Sequence, residues 1–241
     1  MGKTGDNISS ENANWKFSGK MVTDFESHVS KSVPIYKRGH ELIIKLSDFF
    51  VKQDSLVYDL GCSTGKLLID LAKHNKYKDK SQYIGIDIEK DMIKFAKSQQ
   101  IKSKINSRKL KFYHQDITKY KLKSSDLIIS YFTVQFVHPK HRQNLIDEIY
   151  KSLNWGGAFL FFEKVRYNDA RFQDIFTTLY NEYKLDMGYS HEEIINKTKS
   201  LKGVMEPFST KGNLDMLKRA GFEDITPVVT DICFKGFLAI K

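Results

Sequence analysis

The residues Val57-Tyr58-Asp59-Leu60-Gly61-Cys62-Ser63-Thr64-Gly65, followed by Tyr83-Ile84-Gly85-Ile86-Asp87, decide how this chain is read. An apolar run ends in a glycine-flanked turn, a helix-length segment follows, and a second apolar run closes on a carboxylate. A parallel α/β sheet holds an adenosine at its carboxyl edge with parts in this order. Gly61 supplies a turn that a side chain would obstruct, and Gly65 lets the next helix begin close to a ligand. Asp87 offers its carboxylate to both hydroxyls of a ribose. Asp59, Cys62 and Ser63 complete the cofactor turn.

Spacing selects among adenosine-bearing cofactors. A dinucleotide fingerprint needs G-x-G-x-x-G to bring backbone amides onto a pyrophosphate, and only one G-x-x-x-G is present. Gly65-Lys66-Leu67 lacks the four-residue glycine spacing and the Ser or Thr that a phosphate loop requires, which argues against ATP. A D-x-G-x-x-x-G turn with an acid closing the next strand resembles the S-adenosylmethionine (SAM) site of class I methyltransferases.

Outward from this turn, apolar runs and helical periodicities alternate. Strands are expected at 56–60, 82–87, 110–114, 127–131 and 158–163, with helices at 35–50, 65–73, 90–99 and 139–153. Asn154-Trp155-Gly156-Gly157 reads as the turn before the fifth strand. Two late strands, 225–230 and 234–240, read as an antiparallel hairpin. Ser190 and Glu193 form a capping box that opens a second helix after a long helical stretch. The fold class is therefore α/β: a Rossmann-like class I methyltransferase fold, seven-stranded and mostly parallel, with an antiparallel C-terminal hairpin and a helical insertion. One domain is expected over 1–241, with an N-terminal helical cap at 15–54 and the insertion at 168–205.

The chain has 241 residues, 41% hydrophobic, which suffices for one large core. No apolar run reaches membrane-spanning length and the first residues are polar, so a cytoplasmic location without a membrane is expected. Cys62 and Cys233 have neither metal nor disulfide spacing, and no metal site is expected. The formal net charge of +10 comes from lysines scattered through loops, such as Lys73, Lys76, Lys78 and Lys80. That pattern reads as solvated surface and argues against nucleic acid as a direct substrate.

Several segments are more specific than the cofactor turn. Trp15-Lys16-Phe17, Ser32-Val33-Pro34-Ile35-Tyr36, Phe132-Thr133-Val134-Gln135-Phe136, Leu153-Asn154-Trp155-Gly156-Gly157-Ala158, Glu163-Lys164 and Gly188-Tyr189-Ser190 closely resemble carboxy-S-adenosylmethionine synthase, over nearly the whole chain. The resemblance implies a product, carboxy-SAM, made from SAM and prephenate for a tRNA wobble uridine modification, and a homodimer. It implies that Tyr36 touches the methionine end of the cofactor and that Gly61, Cys62 and Ser63 line its backbone path. Asp87 would hold the ribose, and Asp116 and Ile117 would meet the adenine. Ile88 stands where the family tends to carry a polar residue.

Two departures bear on the chemistry. Tyr131 replaces the family's asparagine, and Thr198 replaces an arginine that grips the added carboxylate. Losing a bidentate arginine costs a few kcal/mol, so carboxy-SAM should be poorly held unless Lys197 or Lys199 substitutes. On this reading the protein is a SAM-dependent methyltransferase acting on a small-molecule acceptor. Carboxy-SAM synthesis is the alternative, and a non-catalytic SAM-binding partner the second alternative. Tyr131 is the first candidate for touching the acceptor, with His138 and Glu163 behind it. Tyr189, His191, Thr198 and Lys199 are expected in the substrate pocket.

Overall fold

Strands form where apolar residues run together, and helices where they recur on one face. The structure, a computed structural model, describes residues 2–6, 8–17, 19 and 21–241. β1 (Leu56–Leu60), β2 (Gln82–Asp87), β3 (Leu110–His114), β4 (Ser125–Tyr131) and β5 (Leu153–Lys164) lie parallel. β6 (Asp224–Asp231) and β7 (Phe234–Ile240) follow, with β7 antiparallel to both β5 and β6. Across the sheet the order is β3-β2-β1-β4-β5-β7-β6. The order reverses between β1 and β4, and a crevice opens at the carboxyl ends of strands at such a point.

Because side chains alternate along a strand, each face of the sheet builds its own core. Val57, Leu127, Leu160 and Phe162 pack with Ile43 of α2 (Tyr36–Phe50), Leu68 and Leu71 of α3 (Lys66–His74), and Ile93 and Ala96 of α4 (Lys90–Lys102). Tyr58, Ile128, Phe159 and Phe161 pack with Leu145 and Ile149 of α5 (Pro139–Ser152), and Met216 and Leu217 of α8 (Thr210–Ala220). Gly65 has φ +75° and starts α3. A Cβ there would press on Phe112 and Ala96, so this glycine serves packing between α3, β3 and α4.

The N-terminal cap consists of α1 (Met21–Ser32) and α2. Trp15, Met21, Val22 and Phe25 bury against Met92 of α4. The insertion is α6 (Ala170–Asp186) and α7 (His191–Ser200), and α7 opens on the expected Ser190–Glu193 capping box. No helix among the described residues is long and apolar enough to cross a membrane.

One boundary differs materially from expectation. β5 begins at Leu153, so Asn154-Trp155-Gly156-Gly157 lies within the strand rather than before it. The register jumps there: Ser125 faces Leu153 and Leu127 faces Ala158. Gly156, at φ +75°, donates its N–H to the Lys241 carbonyl at 2.7 Å.

Candidate active site

The crevice at the strand ends is a cavity of about 1000 Å³. Its cofactor side is built from the β1 turn, the end of β2 and the segment after β3. Gly61, at φ +85°, approaches Thr133 so closely that any Cβ would collide with that side chain. Asp87 accepts from the Ser63 N–H through Oδ2 and the Glu89 N–H through Oδ1, both at 2.8 Å. Asp87 lines the cavity. Burial pushes its carboxyl up. Ile88 is 63% exposed at the rim, and Asp116 and Ile117 lie beside it on the cavity wall. Among the described residues no His/Cys/Asp/Glu group has the geometry to hold a metal ion.

Tyr36 and Tyr131 face each other across the entrance to α2. The Tyr131 hydroxyl donates to the Tyr36 carbonyl at 2.6 Å, so the ring rather than the hydroxyl faces ligand space. Gly39 makes this possible, because a Cβ at that position would overlap the Tyr131 hydroxyl. His40 packs against both tyrosine rings. Burial pushes its imidazole down to about 4, and its buried Nε2 has no partner.

The cavity is also lined by Lys164 of β5, Lys184 of α6 and Lys197 of α7. Lys164 and Lys184 flank the Tyr180 ring at 4.3 and 4.4 Å from its centroid. Burial lowers all three ammonium groups. Lys184 falls to about 8 with Lys164 adding repulsion, and Lys197 falls to about 7 with Lys184 as its largest repulsive neighbour. Among the described residues none of the three makes an ion pair with a carboxylate. Lys197 instead donates to Ser32 Oγ at 2.6 Å and to His28 Nε2 at 2.7 Å. Burial holds His28 at about 4, hence neutral, and its Nδ1 bonds Asp6 at 2.8 Å.

Tyr36, Asp59, Gly61, Cys62, Ser63, Asp87, Ile88, Asp116, Ile117, Tyr131, His138 and Thr198 all line the cavity. Gly65, Glu163, Tyr189, His191 and Lys199 do not. Glu163 is 1% exposed and accepts from the Val134 and Gln135 N–H groups, while its Oε1 is buried without a partner. Tyr189 is turned inward, bonding Asp6 at 2.9 Å and Ser32 at 3.1 Å. His191 and Lys199 sit on the exposed face of α7. His138 is an exposed helix cap whose Nδ1 accepts from the Lys140 N–H. Sequence reasoning missed Glu26, His28, His40 and Lys184, whose residue types carry no fixed spacing to any motif.

A family model described as a methyltransferase domain matches residues 57–157. The carboxy-S-adenosyl-L-methionine synthase of Staphylococcus epidermidis is 36% identical over 228 residues, covering 94% of this chain and 97% of that protein. The enzyme of the same name from Nautilia profundicola is 37% identical, covering 94% of each. The chain belongs to the carboxy-S-adenosyl-L-methionine synthase family. Among solved structures, magnesium protoporphyrin IX methyltransferase from Synechocystis PCC 6803 with bound SAH has a TM-score of 0.60 at 15% identity. That match spans 88% of this chain and 86% of the other, and it shows the shared fold.

As a carboxy-SAM synthase family member on the class I fold, the protein is a SAM-dependent enzyme. Its residues fit that cofactor. Asp87 lines the cavity at the end of β2, Gly61, Cys62 and Ser63 bring the glycine turn to its wall, and the Asp59 Oδ1 is buried there without a partner.

Proposed function

We propose that the protein uses SAM together with a small carboxylate as second substrate, and that its reaction is carboxy-SAM formation. The observation that carries this reading is the lysine wall. Buried ammonium groups that repel one another and lack carboxylate partners are costly, and an anion offsets that cost. The acids Glu26, Asp59 and Asp87 line the same cavity, so it offers groups for both a cation and an anion. When bound, SAM would supply an S-methyl carbon whose C–H bonds the sulfonium acidifies, so that one proton leaves and the carboxyl group released from the second substrate takes its place. Lys164, Lys184 and Lys197 hold the carboxylate, and the aromatic faces of Tyr131 and Tyr180 keep water from the space between. The family resemblance implies prephenate as that carboxylate.

Methyl transfer to an anionic small-molecule acceptor is the second reading. Thr198 favours it: the side chain is exposed at the rim with its hydroxyl bonded to the Ile194 carbonyl at 2.8 Å, and offers no bidentate grip. Incubating protein and SAM with and without prephenate, then weighing the nucleoside product, separates the readings. Carboxy-SAM synthesis adds the mass of CO2 only when prephenate is present, methyl transfer yields SAH only in parallel incubations that also supply a panel of small carboxylates as methyl acceptors, and a binding-only protein changes nothing in any of them. Thr198→Arg is expected to tighten carboxy-SAM relative to SAM by about 10-fold, read by calorimetry, because a planar fork joins the lysines.

The same reading includes a homodimer. Phe172, Ile175 and Leu179, 53%, 52% and 43% exposed, form one apolar stripe on α6, whose only buried residue is Lys184. Light scattering at micromolar protein should give a dimer mass, and Ile175→Asp with Leu179→Asp should give a monomer. A monomeric wild type removes the dimer from the proposal.

A further inference from the structure

Two carboxylates, Glu26 and Asp59, line the cavity near Tyr36, which feels the charge of both, and among the described residues neither makes an ion pair. Glu26, on α1, accepts from Thr64 Oγ1 at 2.5 Å and from the Tyr36 hydroxyl at 3.2 Å. Asp59, at the end of β1, is 2% exposed, and its Oδ1 has no partner. Both line the cavity. Burial pushes both carboxyls up, Asp59 to about 8 with Asp87 adding repulsion. Lys66, whose field reaches Glu26, pairs with Asp70 at 2.8 Å. Hydroxyl donors orient the Glu26 carboxylate without neutralising it, so this end of the cavity lacks one positive charge.

We propose that Glu26 and Asp59 together bind the α-ammonium of the SAM methionine moiety, with Glu26 delivered by the N-terminal cap rather than by the sheet. The inference rests on the reading that SAM occupies the cavity. SAM carries its ammonium on the amino-acid chain, and Thr64, which orients Glu26, lies in the glycine turn that wraps the cofactor. Met21, Phe25 and Val29 of α1 line the same cavity. The cap is therefore part of the cofactor site: α1 closes the wall that β1 leaves open. Ammonium binding favours the ionised form of Asp59, which burial raises to about 8, so the complex forms with release of a proton from that carboxyl near neutral pH.

Calorimetry on the full chain with SAH and with 5′-methylthioadenosine tests this, because the second ligand keeps the nucleoside and lacks the amino acid. Glu26→Gln is isosteric and should weaken SAH at least about 10-fold, the loss expected for one charge-assisted hydrogen bond. Binding of 5′-methylthioadenosine should stay within about 2-fold of wild type, which also shows that the variant is folded. Wild-type SAH binding should show a heat that varies with buffer ionisation enthalpy, and Asp59→Asn should reduce that variation. Unchanged SAH affinity in Glu26→Gln, or equal losses for both ligands, overturns the inference while leaving SAM binding intact. A wild type that binds neither ligand overturns the cofactor reading itself.

Discussion

Asp87→Ala is expected to weaken SAM and SAH binding by at least about 100-fold, since two hydrogen bonds to a charged acceptor, each about 1.5–3 kcal/mol, disappear together. The carboxylate also organises the site before ligand arrives. Its two oxygens take the Ser63 and Glu89 N–H groups, which fixes the glycine turn against the end of β2. Removing it leaves two backbone donors without their acceptor and loosens the turn, so part of the loss is preorganisation. Asp87→Asn separates these contributions, because it keeps one acceptor oxygen and the shape. Calorimetry should place it between wild type and alanine. An alanine variant with wild-type affinity would mean that the ribose is held elsewhere.

That Asp59, Gly61 and Asp87 would meet at one cavity was legible in the sequence because the signal is local. They sit on or just after two short apolar strands whose ends are marked by glycine and acid, and β1, β2 and β3 have the expected bounds. The lysines on the same cavity were not legible in the same way. Lys164, Lys184 and Lys197 come from β5, α6 and α7, and in a chain with 39 lysines and arginines nothing local distinguishes a buried lysine from a solvated one. The missing arginine at Thr198 argues against carboxylate binding on sequence alone, and the proposal of a carboxylate substrate rests on the three lysines that line one cavity.

Glu163 illustrates a different ambiguity. An acid at the carboxyl end of a parallel strand reads as catalytic, but side chains alternate, and one residue decides which side it serves. The Glu163 carboxylate instead takes N–H groups of the Val134–Phe136 turn and feels the Arg142 charge. Arg142, fully buried, donates to the Gln135, Val137 and Glu206 carbonyls at 3.0, 2.7 and 2.7 Å. Together these groups fix the loop after β4 that carries Thr133 and His138 to the cavity. At the start of β5, the bulge at Gly156 depends on the last residue of the chain, a partner no local window contains.

Lys184→Met combined with Lys197→Met should lower kcat/KM for the anionic substrate by about 100-fold to 10,000-fold, from two charge-assisted bonds of about 1.5–3 kcal/mol each. SAM affinity should stay within about 3-fold, since the cofactor side is built from other residues. Methionine retains most of the lysine stem, so packing on Tyr180, Trp15 and Tyr189 is largely preserved. The pH dependence has a definite sign. Lys197 loses its proton near 7 and Lys184 near 8, and only the ammonium forms attract an anion, so wild-type kcat/KM should fall as pH rises from 6 to 9. Lys197→Arg stays charged and should flatten the lower part of that fall. Stability moves the other way. Both lysines bind protons less well folded than unfolded, so their cost to the fold is present at pH 7 and fades as pH rises toward 10. The double variant should therefore melt no lower than wild type at pH 7, with any gain shrinking at higher pH. Loss of SAM binding alongside turnover would place the damage at the cofactor. Unaltered turnover with a flat wild-type pH profile would mean that the lysine wall holds no substrate.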